Sequence, residues 1–339
     1  MLQLIKNASK NQENQAIVSD NQVYIYRNLL EASHGVASLL LDQTPDLAET
    51  RVAFMISPGF DYVRVQWGIW RAGGVAVPLC ITYPLPSLQY VIDDTDAQII
   101  VAGPEYAELL APLAAEKGLR FIPLTDMDGL SFSSKKLPNI MPDRRAMILY
   151  TSGTTNLPKG VVTTHRTIEA QVSTLVKAWE WSAQDHILCV LPLHHVHGII
   201  NVISCALWAG ATVEFLPSFS AEAVFGAFMQ GKINVFMAVP TIYFKLIAYW
   251  ETLPQEEQQQ ISDTLSHFRL MVSGSAALPV SVMEKWKVIS GHTLLERYGM
   301  TEIGMGISNP YHGERKAGYI GKPLPGVRVR LVMSLIHIS

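Results

Sequence analysis

Residues 150–160 read Tyr-Thr-Ser-Gly-Thr-Thr-Asn-Leu-Pro-Lys-Gly, a segment that concentrates hydroxyls, glycines and one lysine. Successive backbone N–H groups in such a segment can converge on an anion, and the hydroxyls of Thr151, Ser152, Thr154 and Thr155 add donors without bulk. Gly153 frees the backbone to turn, and Lys159 brings a mobile point charge. That combination suits the holding of phosphate. It is not a P-loop, which needs a glycine where Pro158 stands and a Ser or Thr where Gly160 stands. A polar hairpin loop is the ordinary alternative.

Three further strings carry chemically useful groups: Leu191 to Gly198 with His194, His195 and His197; Val272 to Leu278 with Gly274, Ser275 and Ala276; and Glu296 to Glu302. The histidines invite a zinc site, yet no Cys, His or carboxylate set at ligand spacing accompanies them. Thr301-Glu302 is ordinary composition for a helix start. Arg297 has Glu296 and Glu314 as available ion-pair partners, and His197 also reads as a satisfied interior histidine.

The elements that must position these groups alternate in type. Short apolar runs at Arg51–Ile56, Val75–Leu79, Ala97–Val101, Ile187–Leu191, Thr212–Leu216 and Val235–Val239 interleave with helix-patterned stretches. Such stretches run from Tyr62 to Arg71, Ser87 to Asp94, Glu105 to Lys117, Gly198 to Trp208 and Ala221 to Gln230. The rhythm predicts βαβ units and parallel sheets covered by helices, in two α/β halves meeting near residues 160–185 with a cleft between them. The apolar runs Ala146–Tyr150 and Val161–Val162 make the phosphate segment a loop between two strands. Leu130 to Asp143 reads as a linker, Glu251 to Gln260 as an exposed helix or loop, and Val327 to Leu331 as an alternating strand.

With 339 residues, 49% hydrophobic and 16% charged, the chain has the makeup of a well-buried globular protein of about two domain-sized units. A net charge of -3 with scattered Lys and Arg argues against a nucleic-acid partner. Cys80, Cys189 and Cys205 lie in apolar surroundings, as buried reduced thiols do. The longest apolar stretch, Gly198 to Val213, is too short for a membrane span and is interrupted by Asn201 and Gly210.

In their order, the four strings resemble the motifs of the adenylate-forming superfamily of acyl-CoA synthetases, luciferases and peptide-synthetase adenylation domains. The likeness runs from Arg71-Ala72-Gly73-Gly74 to Gly326. Asn156 stands where that family usually has Gly, and Asn tolerates the left-handed backbone well enough to keep the turn. The resemblance implies an α/β fold with two parallel-sheet subdomains, residues 1–165 holding the phosphate loop and 166–312 holding the acid and adenine pocket. Residues 313–332 would open a small β-barrel. The tail 333–339 does not continue the family pattern, and the family's ribose-binding Asp, hinge and C-terminal domain with its lysine have no counterpart. A truncated chain is therefore expected.

Residue by residue, the resemblance puts Thr151, Ser152, Gly153, Thr154, Thr155 and Lys159 around the β- and γ-phosphates of ATP. Gly274, Ser275 and Ala276 would face adenine, flanked by Glu296 and Tyr298, with Arg297, Gly299 and Met300 completing the nucleotide site. Thr301 would touch the α-phosphate and Glu302 would hold Mg2+, so Thr301, Glu302 and Lys159 are the expected catalytic groups. His195 would gate the path between acid pocket and CoA tunnel. The fuller strings resemble malonyl-CoA synthetases, including those that accept methylmalonate. Arg297 and His197, with Ser275 and Met305, would then receive a second carboxylate, the guanidinium in bidentate fashion. The expectation is an acid–thiol ligase acting on malonate, ATP and CoA in the cytoplasm, with mitochondrion and peroxisome as alternatives. Another short-chain or aryl acyl-CoA synthetase is one rival, and a nucleotide-binding fragment with little turnover is another.

Overall fold

The structure is a computed structural model that describes residues 2–130, 134–151, 157–216, 218–330 and 332. Its strands, in chain order, are β1 Gln15–Ser19, β2 Gln22–Ile25, β3 Arg51–Met55, β4 Val75–Pro78, β5 Ile99–Ala102, β6 Arg120–Pro123, β7 Arg145–Thr151 and β8 Lys159–Thr164. There follow β9 His186–Cys189, β10 Thr212–Phe215, β11 Val235–Ala238, β12 Leu270–Ser273, β13 Leu295–Met300, β14 Gly304–Ser308 and β15 Lys322–Pro323. One sheet has the order β6-β5-β3-β4-β7-β8, parallel except for the β7–β8 hairpin. The other has the order β15-β14-β13-β12-β11-β9-β10-β1-β2, parallel from β13 to β1 with antiparallel strands at both edges.

Strands buried on both faces must be apolar at nearly every position, and these are. In β11, Val235 and Met237 face the core between the sheets, while Phe236 and Ala238 face the outer helices. In β3, Val52 and Phe54 face that same central core, while Ala53 and Met55 face the other outer layer. Helices Tyr26–Leu41, Phe60–Arg71 and His165–Ala178 fill the space between the sheets, and Trp67, Trp70 and Trp179 are buried there. The layers therefore run helix, sheet, helix, sheet, helix.

The starts of the large sheet's strands are tied by one polar cluster. Asp185 accepts from Arg269 Nε at 2.5 Å and Nη2 at 2.6 Å, from the Ser182 N–H at 2.7 Å and from Asn234 Nδ2 at 3.2 Å. Asn234 Oδ1 accepts from the His186 N–H, and Arg269 also donates to Trp179 O. Loops before β9, β11 and β12 are thereby held in register.

The parallel α/β architecture, the pairing of the two strands that flank residues 152–156, the buried unpaired cysteines and the exposed helix after residue 251 (Gln255–Ser266) agree with the sequence reading. Four features differ. Residues 15–25 form β1 and β2 of the large sheet, with Ile17 opposite Val213. Residues 327–330, expected as part of a strand, carry no strand, because nothing pairs with them among the described residues. Of the expected barrel opening, only the two-residue β15 is present, paired on β14, and no closed barrel is formed by the described residues. The 198–208 helix also winds wide at first: His197–Ser204 is π-helical, with the Ser204 hydroxyl donating to Ile199 O at 2.7 Å, before the α-turn Cys205–Ala209. Among the described residues no helix is long and apolar enough to cross a membrane.

Asp185 has a side chain 1% exposed. Replacing it with Ala strands the Arg269 guanidinium and should cost about 3 kcal/mol, read as a lower urea midpoint at unchanged slope.

Candidate functional site

A cavity of about 920 Å³ opens where the carboxyl ends of strands from both sheets converge. Thr151 ends β7, Val190 to Pro192 follow β9, Val239 and Thr241 follow β11, Ser275 follows β12, and Gly299 and Met300 end β13. Crevices at such ends are the usual ligand sites of open α/β sheets. Lys159, His195, His197, Arg297, Thr301, Glu302 and Met305 line it as well.

Ser152, Gly153, Thr154 and Thr155 lie outside the described residues. The strands on either side bring Thr151 and Lys159 opposite each other, and Tyr90 donates from its hydroxyl to Pro158 O at 3.0 Å. The root of the loop is therefore fixed at the cavity edge.

The floor is made by Arg297, His197 and Ser275. Arg297 and His197 are each 3% exposed. Arg297 Nη2 donates to Ser275 Oγ at 3.2 Å, and that oxygen lies 3.2 Å from His197 Nδ1. Since the arginine occupies a lone pair of the hydroxyl, the hydroxyl proton is free to go to Nδ1, which leaves His197 carrying its proton on Nε2. Nε2 of His197 and Nε of Arg297 are both buried without a hydrogen-bond partner. No carboxylate lies within ion-pair distance of Arg297 among the described residues, so neither Glu296 nor Glu314 neutralises it. Glu296 is turned to the other face of β13, where its Oε1 accepts from the Leu278 N–H at 3.3 Å.

Burial pulls the Arg297 guanidinium down to about 10, which still leaves it charged at neutral pH. Burial first, then Arg297 and His195, holds His197 well below its usual range, so the ring is neutral. A buried cation without counter-ion beside a neutral N–H donor is a receptor for an anion, because either group alone pays desolvation for nothing.

Backbone geometry enforces this floor. A Cβ at Gly274 would sit 2.5 Å from Arg297 Cζ, so only glycine lets the guanidinium lie flat there. Ser275 has φ +69°, a left-handed conformation that costs a serine about 1 kcal/mol or more and aims its hydroxyl between the two partners. Gly198, beside His197, would with a Cβ meet Pro192 O at 2.7 Å, so its absence lets the π-helical turn close on the 191–193 loop.

The rim belongs to the β13–β14 hairpin. A register shift at Tyr298/Gly299 bends it, and Thr301, Glu302 and Ile303 form its turn. Glu302 is exposed in a hairpin turn and does not start a helix. It has no ion pair among the described residues, which leaves its oxygens available to a hard cation. No group of three or more His, Cys, Asp or Glu side chains is arranged to hold a metal among the described residues, so the histidine string lacks the partners a zinc site needs. His195 is an exposed wall residue beside His194, ring centroids 4.0 Å apart with the planes tilted by 51°.

Four expected site residues do not line the cavity. Gly274 lies beneath Arg297, Ala276 is exposed beyond Ser275, Glu296 is buried on the opposite face, and Tyr298 points to solvent with its hydroxyl near Met300 Sδ. Conversely, Lys245 and Phe219 line it unanticipated, the Lys245 ammonium standing 5.5 Å from the Phe219 ring centroid. The signal in the sequence was one helical turn: Lys245 follows Thr241 by four residues and shares its face. Among its described lining residues are three cations, Lys159, Lys245 and Arg297, and one carboxylate, Glu302.

A family model described as AMP-binding enzyme matches residues 4–334. The chain is 47% identical over 332 residues to the mitochondrial malonate–CoA ligase of Bos taurus, covering 94% of this chain and 57% of that protein. It is 38% identical over 358 residues to the malonate–CoA ligase of Arabidopsis thaliana, covering 96% and 59%. Among solved structures, ATP-bound MatB from Rhodopseudomonas palustris is similar with TM-score 0.86 and 31% identity, over 96% of this chain and 65% of that one. A malonyl-CoA ligase complex with methylmalonyl-CoA and AMP gives TM-score 0.85 and 29% identity, over 99% and 69%. The chain thus spans under three-fifths of the length of these two curated relatives.

Buried histidines set the pH response of the folded chain. Burial draws His165 and His194 down to about 4 and His197 well below its ordinary range, with Arg144, His195 and Arg297 as the respective next causes. The unfolded rings take protons near pH 6.5, so stability is complete above that pH and drains away as pH falls from about 6.5 toward 4. Each ring that stays neutral contributes a slope of about 1.4 kcal/mol per pH unit in that window. Thermal melts should be flat from about pH 7 to 8 and drop steeply below about pH 6.

Proposed function

The chain belongs to the AMP-binding enzyme family, and from that premise we propose that it activates malonate with ATP for transfer to CoA. The observation that carries this reading is the floor: a buried, unneutralised Arg297 beside a neutral His197, each with an unpaired nitrogen. A monoacid would leave that guanidinium desolvated and alone. A short diacid offers one carboxylate to the floor and extends the other toward the rim.

In the first step, one carboxylate oxygen of malonate bonds to the α-phosphorus of ATP and pyrophosphate leaves, giving malonyl-adenylate. In the second, the CoA thiol attacks the acyl carbon, the thiol proton is lost and AMP departs. The residues act on this sequence by position and charge. Arg297 and His197 hold the distal carboxylate, with Ser275 fixing both, and Met305 closes the floor. Thr151 and Lys159, with Ser152, Gly153, Thr154 and Thr155, take the outer phosphates, Lys159 supplying charge against the building negative charge. Ser275, Gly299 and Met300 border the nucleoside, the exposed Ala276 and Tyr298 meet it from the solvent side, Gly274 supports Arg297 from beneath, and Glu296 braces that segment from behind through the Leu278 N–H. Thr301 donates toward the α-phosphate. Glu302, an exposed carboxylate on the rim, fits Mg2+, which protein sites usually hold through one or two carboxylates plus substrate phosphates; bound there, the ion would draw charge from the phosphates. His195, on the wall, gates the approach of CoA.

In this reading residues 1–165 and 166–312 are the two α/β units, the second completed by β1 and β2, and 313–332 begin a further β-rich unit. The compartment we propose is the cytoplasm or the mitochondrion, the latter being the designation of the bovine and human relatives.

Arg297→Met separates binding from stability. Removing a buried unpaired charge should raise the unfolding free energy by about 1–3 kcal/mol. The same change should weaken malonate binding in the presence of ATP roughly hundredfold or more, and leave butyrate unaffected. Calorimetry with both acids, alongside thermal melts, reads both effects. Equal losses for malonate and butyrate would assign the pocket to monoacids.

A further inference from the structure

Helix His165–Ala178 joins the two anion-facing hairpins. It begins immediately after β8, with Thr164 capping it through the Thr167 N–H at 3.2 Å. At its middle, Gln171 reaches the other hairpin, where the Met305 N–H donates to Gln171 Oε1 at 2.6 Å. Gly304, just before, has φ +66°, and a Cβ there would stand 1.8 Å from that same oxygen. The hairpin therefore lacks a side chain where the amide of Gln171 lies. At the helix end, Trp179 Nε1 donates to Ser308 Oγ at 3.0 Å.

These two bonds match in length along both partners. Eight helical residues from Gln171 to Trp179 rise about 12 Å, and three strand residues from Met305 to Ser308 span about 10 Å. The strand β14 is thus pinned to the helix at its first turn-proximal peptide and near its far end. By contrast, the side chains of Thr301 and Glu302 have no hydrogen-bond or ion-pair partner among the described residues, and within the turn the only backbone bond is Ile303 N–H to Met300 O at 3.3 Å. What holds the turn in place is its root, which the β13–β14 pairing forms and which Gln171 ties to the helix.

We propose that Gln171 is a positioning residue: by accepting from Met305 it sets where the 301–303 turn stands relative to the β7–β8 hairpin, and so governs Mg2+-dependent nucleotide binding. This rests on the reading of Glu302 as the carboxylate that meets Mg2+. The helix acts as a spacer between a carboxylate on one hairpin and Lys159, at the start of β8, on the other. A shift of the turn by an ångström separates them, whereas contacts made by the nucleotide without the ion are little changed.

The test uses calorimetry of ATP with the chain, in excess Mg2+ and in EDTA. Gln171→Met keeps side-chain length and removes the amide acceptor; Gln171→Glu keeps an acceptor oxygen. Gln171→Met should weaken ATP binding about tenfold with Mg2+ and less than about twofold in EDTA. Gln171→Glu should stay within about threefold of the parent with Mg2+. Equal weakening in both conditions, no weakening, or a Gln171→Glu variant as impaired as Gln171→Met overturns the proposal. A parent chain that binds no ATP with Mg2+ overturns instead the ligase reading on which it rests.

Discussion

The Arg297 guanidinium is charged, buried and without a counter-ion, and most of the cavity can be understood as the machinery that keeps it so. A cation in that state lowers stability, and a fold tolerates it only where the surroundings leave no way out. Gly274 provides the flat surface, Ser275 the one acceptor, and β13 the rigid strand from which the side chain projects. The adjacent glutamate cannot neutralise it, since alternation along a strand sends Glu296 and Arg297 to opposite faces. An anionic ligand therefore completes an interaction that the folded chain leaves open.

Convergence of strand ends explains how residues from Thr151 to Met305 share one cavity. Each parallel strand delivers a short loop to the same side, so the site is assembled from many segments, each adding one or two groups. The interior helix Phe60–Arg71 and the helix His165–Ala178 set the spacing between sheets, and the polar cluster around Asp185 fixes the far ends of the large sheet's strands. Rigid distances at one end make fixed distances at the other.

Much of this was legible beforehand because it is local. Runs such as Val235–Ala238, apolar on both faces, announce a central parallel strand. The hydroxyl-rich segment between two apolar runs announces a hairpin loop, and the order of the four strings announces the family. What escaped depends on partners far along the chain. Nothing within residues 15–25 says that they pair beside β10, because an edge strand's composition fits either sheet. Residues 327–330 alternate as a strand should, yet alternation cannot supply a neighbour. Gln171, Lys245 and Phe219 sit in unremarkable surroundings, and a single polar residue on a helix carries no local mark of what it reaches. The π-helical start of His197–Ser204 is equally silent, since its apolar residues suit an α-helix as well.

The pairing of Ile17 with Val213 has a bearing on how the chain is made. Nearly two hundred residues must leave the ribosome after β1 before its neighbour exists, a delay of roughly 10–40 s at about 5–20 residues per second. During synthesis the β1–β2 ribbon can pack on helices close to it in sequence, such as Tyr26–Leu41, but lacks the parallel neighbour that completes its sheet. The smaller sheet, whose strands lie between residues 51 and 164, can meanwhile close from contiguous segments. The nascent chain is thus expected to build its smaller sheet first and to seat the β1–β2 ribbon in the larger one only after β10 has emerged.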